Sequence, residues 1–319
     1  VFAKDLPGDV EVVDLKCSRV RYAMPKVMSL IWKRKPNVVF STLGHLNLAL
    51  AILRPLLPNG VRYIARETII VSMLSSAYSV PFWWGWAYRR FYGRYDTVIC
   101  QSQDMRNDLI ENFGLSQNKA VVINNPVDIE QIRKRTLDVV TSEKAKHYFD
   151  DVNTINLVAA GRLTKQKGFD VLIKAIALCN NRRLKLVLLG DGPMYHDLLE
   201  LATSLGVANQ IRFAGFQNNP YYFFSQADAF LLSSRFEGFP NVVLEALVCG
   251  TPVIAVPAPG GVKEILEGLD GCALAESITA EGLANTIQNF SFDKKKLSRD
   301  VAAPYNLKYI TRRYEQILL

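Results

Sequence analysis

The sequence predicts an α/β protein of two doubly wound domains, each a parallel sheet with helices on both faces. Short aliphatic runs alternate with helical segments along the chain, and strands that are buried on both faces have continuous apolar sequences. The second half contains INLVAA (155–160), LKLVLLG (184–190), IRFAGF (211–216), AFLLSS (229–234), PVIAVPA (252–258) and CALA (272–275). The first half contains VEVVDL (10–15), NVVFST (37–42), RYIARE (62–67), TVICQS (97–102) and AVVINN (120–125).

The segment GFDVLIKAIALC illustrates the helical period between two of these runs. Its apolar residues share one helical face, as expected for a helix that covers a sheet. They are Phe169, Leu172, Ile173, Ile176 and Ala177.

The domain boundary is predicted at or just after Asn124-Asn125-Pro126, which gives an N-terminal domain 1–126 and a C-terminal domain 127–303. Residues 304–319 are predicted to form a closing helix that packs back on the N-terminal domain. The first residue is Val1 rather than an initiator Met. VEVVDL looks like a later strand, so we expect about 50 residues, or one or two strand–helix units, to be absent from the N-terminal domain.

The charge of the 319-residue chain is concentrated in its first half. Residues 1–126 carry 16 Lys and Arg against 9 Asp and Glu, a net charge of +7. The remaining 22 basic and 21 acidic residues give +1, which together make the formal charge of +8. A basic half attached to a neutral half suggests an anionic partner: a nucleic acid, a membrane surface or a phosphorylated substrate.

Membrane-spanning segments and metal sites are not indicated by the sequence. No apolar run approaches the roughly 18 residues of a spanning helix. The five cysteines include no CxxC pair and the chain has no DxD pair, so we expect reduced thiols in a cytoplasmic protein and no bound metal.

The stretch RFEGFPNVVLEALVCGTPVIA holds two glutamates eight residues apart, Glu237 and Glu245. Pro240 suits the first position of a helix, which would leave the amides of Asn241 and Val242 free to bind an anion such as a diphosphate. The carboxylates can then accept sugar hydroxyls from two parts of one ligand. Taken alone, Glu237 is better explained as a helix-dipole residue and Glu245 as a solvated helix position.

A second strand-to-helix junction, GRLTKQKG, contains two cations. Arg162 and Lys167 lie in a glycine-flanked turn, where they can converge on phosphate oxygens. A third junction, LVLLGDGPMYHDLL, imitates a dinucleotide fingerprint with Gly190 and Gly192. Its third glycine position is Tyr195 and no acidic residue follows the next strand, which argues against a nicotinamide enzyme and favours a tight turn.

Taken in order, these motifs resemble the retaining glycosyltransferases of family 4, which have the two-domain GT-B fold. The resemblance covers the second half and, more loosely, the first half through VVINNPVD. It rests on GRLTKQKGFDVLIKA, LVLLGDGP, IRFAGF, SRFEGFPNVVLEALVCGTPVIA and PGGVKEIL.

The resemblance implies roles for individual residues. Glu237 would contact the donor sugar and Glu245 the nucleotide ribose. Arg162 and Lys167 would grip the diphosphate and stabilise it as the leaving group. The donor site would also include Phe216, whose backbone meets the base, and the backbone of Gly238, Phe239, Asn241 and Val242. No cofactor beyond the nucleotide sugar, and no metal, is implied.

In the first half, NVVFSTLGHLNLALA places Gly44 and His45 at the end of a strand, at the edge that faces the interdomain cleft. The family often has a histidine near this point that contacts the donor sugar or the acceptor, so His45 is a catalytic candidate. Thr42 is the rival position, and a histidine that caps a helix is the structural alternative. Arg66-Glu67 is a further acceptor-side candidate or a structural pair.

The segment SVPFWWGWAYRRFYGRY, residues 79–95, interleaves aromatic residues with Arg89, Arg90 and Arg94. Trp and Tyr favour the headgroup level of a bilayer, and basic residues favour anionic lipid. We therefore predict that the N-terminal domain docks on the inner face of the cell membrane. A core helix with solvated arginines is the alternative, and nucleic acid is disfavoured because the cleft motifs match a sugar donor.

The sequence thus predicts a retaining glycosyltransferase that moves a sugar, expected to be UDP-linked, to a glycan or polyprenyl-linked acceptor in surface polysaccharide or glycoconjugate synthesis. The alternatives are a non-catalytic nucleotide-sugar-binding scaffold, favoured by the missing N-terminal segment, and a UDP-sugar epimerase. An epimerase shares the fold but needs acids and bases around the sugar, which the sequence does not reveal.

Overall fold

The structure, a computed structural model, describes residues 7–74, 80–138, 146–149, 153–293, 297–298 and 300–319. It contains two parallel sheets, one in each half of the chain. The predicted fold class, two doubly wound α/β domains, is confirmed. Eleven aliphatic runs were predicted as strands, and ten of them contain a strand of the structure.

The first sheet has the order β1-β2-β3-β4 with every neighbouring pair parallel. Its strands are β1 (Val38–Ser41), β2 (Arg62–Arg66), β3 (Thr97–Cys100) and β4 (Ala120–Val122). The helices of this half are α1 (Val20–Arg34), α2 (Gly44–Leu53), α3 (Trp84–Phe91) and α4 (Gln103–Glu111). The connection to the second half includes α5 (Ile129–Arg135).

The expectation of a strand at VEVVDL was wrong. Residues 10–15 lie in no helix or strand, and Val10, Val12 and Val13 are each about half exposed. The alternating pattern of the segment suits a strand, but a strand needs a hydrogen-bonded neighbour, and residues 10–15 pair with no described strand. An ion pair of 2.6 Å between Glu11 and Arg34 joins the segment to α1 instead.

The second sheet has the order β10-β9-β8-β5-β6-β7. Its strands are β5 (Ile155–Ala160), β6 (Leu184–Leu189), β7 (Ile211–Gly215), β8 (Ala229–Leu232), β9 (Val253–Ala255) and β10 (Ala273–Leu274). The helices are α6 (Phe169–Cys179), α7 (Tyr195–Ser204), α8 (Tyr221–Gln226), α9 (Asn241–Val248), α10 (Gly261–Leu266) and α11 (Ala280–Asn289). Strands β5 and β8 are neighbours although two strands, β6 and β7, separate them in sequence, so the strand order reverses between them.

Helix α12 (Leu307–Leu318) ends the chain and packs on the first sheet. Ile310 is buried in a cluster with Ile64, Ile99 and Ile123, one residue from each of three neighbouring strand segments. The guanidinium of Arg313 donates to the carbonyl of Val122 at 2.8 Å. The last helix is therefore held by the half of the protein that is most distant in sequence.

Short 3₁₀ turns complete the described secondary structure. They are Arg54–Leu56, Val71–Met73, Tyr92–Arg94, Lys146–Tyr148, Lys165–Lys167, Ala208–Gln210 and Ala303–Tyr305. Among the described helices, none has both the length and the apolar composition that crossing a bilayer requires.

Candidate active site

The reversal of strand order brings two of the predicted motifs together. In open parallel sheets, ligands bind at the carboxyl ends of the strands where the order reverses. The loop after β5 contains Arg162 and Lys167, and the loop after β8 contains Glu237. Because β5 and β8 are hydrogen-bonded neighbours, these loops leave the sheet side by side.

A second arginine, Arg235, fixes one loop against the other. The Arg235 guanidinium donates to both carboxylate oxygens of Asp170 at 2.9 and 2.7 Å and to the carbonyl of Lys165 at 2.6 Å. Gln166 donates from its side chain to the carbonyl of Phe236 at 3.1 Å. A bidentate arginine–carboxylate pair is both strong and directional, so the two loops behave as one unit.

Two glycines allow the backbones to approach this closely. Gly168 has φ +63°, and a Cβ there would lie 2.0 Å from the carbonyl oxygen of Ser233. Gly190 has φ +129°, and its Cβ would lie 2.0 Å from the carbonyl oxygen of Gly161. Only glycine fits at either position, since both the conformation and the contact exclude a side chain. The turn interpretation of Gly190 agrees with this geometry.

Lys167 and Glu237 form an ion pair at the junction of the two loops. The Lys167 Nζ lies 2.6 Å from the Glu237 Oε1, and the side chains are 21% and 8% exposed. The Ser234 hydroxyl donates to the same oxygen at 2.6 Å. The other carboxylate oxygen, Oε2, has no hydrogen-bond partner among the described residues and can accept a hydroxyl. Lys167 therefore neutralises a carboxylate that would otherwise be buried alone.

Helix α9 begins one residue later than predicted. Asn241 is the first helical residue, and Pro240 precedes it in the capping position with φ −78° and ψ 92°. The difference is small because proline tolerates both positions, having no N–H to satisfy. The amides of Asn241 and Val242 still belong to the first turn, whose N–H groups have no intrahelical acceptor. The side chain of Phe239 is buried, with its ring against Tyr305, so only its backbone faces outward.

A cavity of about 770 Å³ at this edge lies between the two halves of the chain. The second half contributes Glu237, Gly238, Phe239, Asn241 and Gln166 to its lining. The first half contributes His45 and Gly44 from the start of α2, Arg66 and Thr68 from the end of β2, and Leu43, Ile69, Leu74, Val80, Trp84, Gln101 and Asn125. The structure thus brings the predicted residues Glu237, Gly238, Phe239, Asn241 and His45 together.

A second cavity of about 450 Å³ contains Arg162 and Phe216. The Arg162 side chain is exposed and makes no hydrogen bond or ion pair to any described residue. Phe216 is 71% exposed, and its backbone amide donates to the Asp191 carboxylate at 3.1 Å. Asp191 therefore fixes the Phe216 backbone. Interpretation of Gly190-Asp191-Gly192 as a turn alone overlooked this contact.

Lys167 lies between these two cavities. A Cβ at Gly161, which lines the smaller cavity, would lie 3.3–3.4 Å from the Lys167 side-chain carbons. The Lys167 ammonium meets Glu237, which lines the larger cavity. Arg162 and Lys167 thus lie at adjacent cavities. Arg162 is unpaired among the described residues, and Lys167 is paired with the Glu237 carboxylate.

Glu245 and Val242 line neither cavity. Burial raises the pKa of Glu245, and the positive charge of Arg135 partly opposes that shift. The Arg135 guanidinium stacks over the Tyr221 ring at 5.0 Å, and Tyr221 follows Pro220, which lines the smaller cavity. Glu245 therefore lies behind the wall of the Arg162 cavity, in a group with Arg135 and Tyr221. Sequence reasoning did not identify those two residues.

Direct contacts between the two halves occur along the large cavity. Asn125 donates from its side chain to the Asn241 side-chain oxygen at 2.7 Å and accepts from the Arg66 guanidinium at 2.6 Å. A Cβ at Gly238 would lie 2.2 Å from the carbonyl oxygen of Thr68. In the sequence, Asn125 marks only the predicted domain boundary. Its polar side chain at the carboxyl end of β4 was the signal that could have identified it.

Further polar contacts join the halves beside α10. The Glu264 carboxylate accepts from the Asn124 side chain at 2.6 Å and from the Gln103 amide at 2.9 Å. The Gly260 amide donates to the Asp104 carboxylate at 2.8 Å. These hydrogen bonds hold the two sheets in the arrangement that encloses the cavity.

Glu67 lies behind the first-half wall of the cavity and is 1% exposed. Its Oε1 accepts hydrogen bonds from the side chains of Asn47, at 2.9 Å, and Tyr92. Burial raises the pKa of Glu67 to about 7, and the Asn47 hydrogen bond and the nearby Tyr88 hydroxyl oppose that shift. Arg66, its neighbour, lines the cavity itself.

The aromatic segment 79–95 is described from residue 80, so Ser79 lies outside the described residues. It has two faces. Tyr88, Tyr92 and Tyr95 are almost fully buried, as the core-helix alternative requires. Phe82, Trp83 and Trp86 are 100%, 42% and 59% exposed. The arginines differ as well: Arg89 donates to the Asn112 carbonyl and Arg94 to the carbonyls of Ala51 and Ile52. Arg90 lies over the Phe91 ring.

Metal ligands are not clustered in the described part of the chain: no group of three or more His, Cys, Asp or Glu side chains is suitably arranged there.

Two family models match the chain. Residues 140–303 match the family described as "Glycosyl transferases group 1", and residues 7–131 match "Glycosyltransferase Family 4". The fold is also similar to that of Anabaena Alr3699/HepE, solved in complex with UDP and glucose. That comparison has a TM-score of 0.77 at 20% identity and covers 96% of this chain and 84% of the other.

Two curated relatives illustrate the sequence similarity. One is N-acetylgalactosamine-N,N'-diacetylbacillosaminyl-diphospho-undecaprenol 4-alpha-N-acetylgalactosaminyltransferase of Campylobacter jejuni, 30% identical over 240 residues, or 69% of this chain and 61% of the relative. The other is the lipopolysaccharide core biosynthesis glycosyltransferase LpsD of Rhizobium meliloti, 42% identical over 170 residues, or 53% of this chain and 46% of the relative. The chain therefore spans about three fifths or less of the length of these relatives.

Proposed function

Because this chain belongs to the family of glycosyl transferases group 1, we propose that it transfers a sugar from a nucleotide sugar to a glycan or lipid-linked acceptor. The observation that carries the proposal is the site at the reversal of strand order. An ion pair of Lys167 with Glu237, the unpaired cation Arg162 and the first turn of α9 all lie beside cavities that a donor can fill.

The charges of the site suit a diphosphate next to a sugar. Arg162 is exposed on the smaller cavity, and the α9 amides add partial positive charge at the larger one. Glu237 has an oxygen left to accept sugar hydroxyls. A nucleotide that lies across both cavities would put its diphosphate beside Lys167, which separates them.

We propose that transfer occurs with retention of the anomeric configuration. In this mechanism the acceptor hydroxyl attacks from the side on which the diphosphate leaves, and the departing phosphate oxygen takes the hydroxyl proton. The C–O bond to the diphosphate breaks as the new glycosidic bond forms, so no strong protein base is required. The contribution of Arg162 and Lys167 is electrostatic, since they stabilise charge on the departing oxygen.

We propose UDP as the nucleotide of the donor. The support is the fold similarity to a protein solved with UDP and glucose and the cavity that brings Arg162 and Phe216 together. We also propose a metal-independent reaction, because side-chain cations already flank the predicted diphosphate position. Turnover that is unchanged by EDTA supports this point, and loss of turnover that Mg²⁺ or Mn²⁺ restores contradicts it.

A lipid-linked acceptor is supported by the Campylobacter jejuni relative, whose name specifies a diphospho-undecaprenol acceptor. The exposed Phe82, Trp83 and Trp86 of this chain suit the headgroup region of a bilayer, and Arg90 on the same helix suits anionic lipid. We therefore propose that the first half docks on the inner face of the cell membrane through this surface.

Vesicle sedimentation tests the docking surface. Wild type should sediment with anionic vesicles at low salt, and Trp83→Ala/Trp86→Ala/Arg90→Glu should remain in the supernatant. Tyr309→Ala/Lys308→Glu is the matched control, because it removes an exposed aromatic and an exposed basic residue from α12. Equal sedimentation of all three proteins, or none by wild type, contradicts docking through this surface.

A panel of nucleotide sugars, each with and without a polyprenyl-diphosphate-linked sugar acceptor, tests the function itself. The proposal predicts UDP release that depends on the acceptor. Isomerised sugar without UDP release indicates an epimerase. Binding of UDP without any turnover indicates a nucleotide-sugar-binding scaffold. Either of these two results overturns the proposed transfer.

A further inference from the structure

One ionisable group close to the cavity has no part in the mechanism above. The carboxyl of Glu67 is buried, and only its Oε1 has hydrogen-bond partners, Asn47 and Tyr92. Oε2 is buried with no hydrogen-bond partner among the described residues. A Cβ at Gly44 would lie 3.5 Å from Oε2, and Gly44 lines the large cavity. The unpartnered oxygen is therefore directly behind the cavity wall.

Glu67 and its neighbours hold the first turn of α2. Asn47, which is 0% exposed, donates both to Glu67 and to the carbonyl of Arg66, at 3.1 Å. Tyr95 donates to the Asn47 carbonyl at 2.8 Å, and Tyr88 donates to the Gly44 carbonyl at 3.4 Å. This turn carries Gly44 and His45 into the cavity wall, so its position sets one side of the cavity.

The same group also holds α3. Tyr88 and Tyr92 stack on each other at 4.5 Å on the buried side of this segment. Trp84 packs against Tyr88 at 5.6 Å and lines the cavity. Trp86 and Arg90 lie on the exposed side. Glu67 is thus the point at which the proposed docking helix, the start of α2 and the end of β2 meet.

We propose that Glu67 is a positioning residue for the acceptor: it fixes the start of α2 against α3, and thereby shapes the first-half wall of the cavity. This proposal rests on the proposed function, because the acceptor must enter from the side opposite to the donor loops. Glu67 touches no ligand in this scheme. It acts through Gly44 and His45 on α2 and through Trp84 on α3.

The protonation state of Glu67 should affect this wall. The pKa of about 7 means that the carboxyl loses its proton within the neutral range. An ionised carboxylate would need a donor on Oε2, which is unpartnered among the described residues. The Tyr88 hydroxyl, which donates to the Gly44 carbonyl at 3.4 Å, is the nearby donor, so this hydrogen bond must rearrange. Deprotonation should consequently shift the first turn of α2 and Trp84.

Other titratable groups around Glu67 do not obscure this effect. Burial raises the pKa of Tyr88 and of Tyr95 far above neutrality, and raises the pKa of Cys100 on β3 to about 12. Arg66 on β2 and Tyr92, which is hydrogen-bonded to Glu67, complete the surroundings, with His45 on the exposed side of α2. A Glu67→Gln variant retains His45 and every tyrosine, so the difference from wild type isolates Glu67.

The first test uses the indole N–H signal of Trp84 in ¹⁵N-tryptophan-labelled protein, assigned with Trp84→Phe. In wild type it should shift with a midpoint near pH 7, and in Glu67→Gln this inflection should be absent. The Trp32 signal is the internal control, because its indole donates to the Leu56 carbonyl outside this group. The same inflection in wild type and Glu67→Gln overturns the proposal. This test requires no substrate.

The second test measures kinetics with the donor and acceptor that the panel selects. Tyr92→Phe removes one donor to Glu67 and should raise the acceptor KM about fivefold, the equivalent of one hydrogen bond, while the Kd for UDP stays within about twofold. In Glu67→Gln the acceptor KM should lose the pH dependence that wild type shows between pH 6 and 8.

The outcomes separate the two proposals. An equal effect of Tyr92→Phe on UDP binding and on the acceptor KM overturns the positioning role. A wild type that turns over no sugar overturns the proposed function, and the acceptor role falls with it. An unchanged Trp84 profile in Glu67→Gln overturns the Glu67 proposal alone.

Discussion

Each side of the cavity contains a glutamate that is buried from water, and the two are stabilised differently. On the second-half side, Glu237 is paired with the Lys167 ammonium and the Ser234 hydroxyl. On the first-half side, Glu67 has the neutral donors Asn47 and Tyr92, and burial raises its pKa to about 7. A cation neutralises the first carboxylate, and below about pH 7 a proton neutralises the second.

The difference matches the proposed work of each side. The donor side must hold charge as the diphosphate departs, and fixed cations do this without reorganisation. The acceptor side must position an uncharged hydroxyl, for which a rigid neutral group suffices. If the two sides work separately, a change on one side should leave the work of the other unaffected.

The largest effect is expected from removal of the donor-side cations. Arg162→Ala and Lys167→Ala should each lower kcat by about 10²–10³-fold, as loss of one transition-state donor does. Lys165→Ala is the matched control, because Lys165 lies in the same loop with an exposed side chain, and it should retain activity. Rates close to wild type in both cavity variants would remove these residues from the leaving-group role.

The ion pair can be tested separately from catalysis by urea unfolding. Lys167→Met leaves Glu237 buried with only Ser234 as a partner and should cost about 3 kcal/mol of unfolding free energy. Adding Glu237→Gln should recover most of that loss, because no uncompensated charge remains. Additive losses in the double variant would mean that the two residues stabilise the fold independently.

Glu67 gives the protein a stability that depends on pH. Its pKa is near 4.5 in the unfolded chain and about 7 in the folded protein, so the folded state binds more protons between these values. The Glu67 contribution to the free energy of unfolding therefore falls as pH rises from about 4.5 to 7, by up to about 3 kcal/mol. Above pH 7 it should not fall further.

The measurement for this prediction is the difference in unfolding free energy between wild type and Glu67→Gln at pH 5, 6, 7 and 8. As pH rises, the unfolding free energy of wild type should fall relative to that of Glu67→Gln. A difference that is constant with pH would contradict the raised pKa of Glu67 in the folded protein.

The smallest effect is expected at the contact between the two sides. Asn125→Ala removes the hydrogen bonds to Arg66 and Asn241 and should cost about 1–2 kcal/mol, since buried groups lose their partners. Asn118→Ala, at an exposed turn of the first half, is the control. Urea unfolding measures both, and equal stability of the two variants would show that Asn125 does not couple the sides.

The strands of both sheets could be predicted because buried parallel strands have continuous apolar sequences, as in LKLVLLG. VEVVDL failed because its pattern is that of a strand while its conformation depends on a neighbouring strand, which sequence alone does not reveal. The reversal of strand order between β5 and β8 was also hidden, since it depends on which strands pair. It explains why the loop with Arg162 and Lys167 lies beside the loop with Glu237.

Among the site residues, too, some could be predicted from the sequence and others could not. The junction rule found Lys167 and Glu237, whose roles remain predictions, but not that they pair with each other. Asn125 was missed because the search for polar residues at strand ends covered the second half more fully than the first. The environment of Glu67 depends on tyrosines that lie 21 to 28 residues further along the chain, so its pKa could only be read from the folded structure.

The most direct test of the account is UDP binding by calorimetry to wild type, Arg162→Ala and Glu67→Gln. If the donor occupies the second half, Arg162→Ala should weaken binding about tenfold, the loss of one charge-assisted hydrogen bond. Glu67→Gln should then match wild type within about twofold. UDP affinity that is unchanged in Arg162→Ala, or weakened equally in both variants, would contradict the assignment of the donor to this side of the cavity.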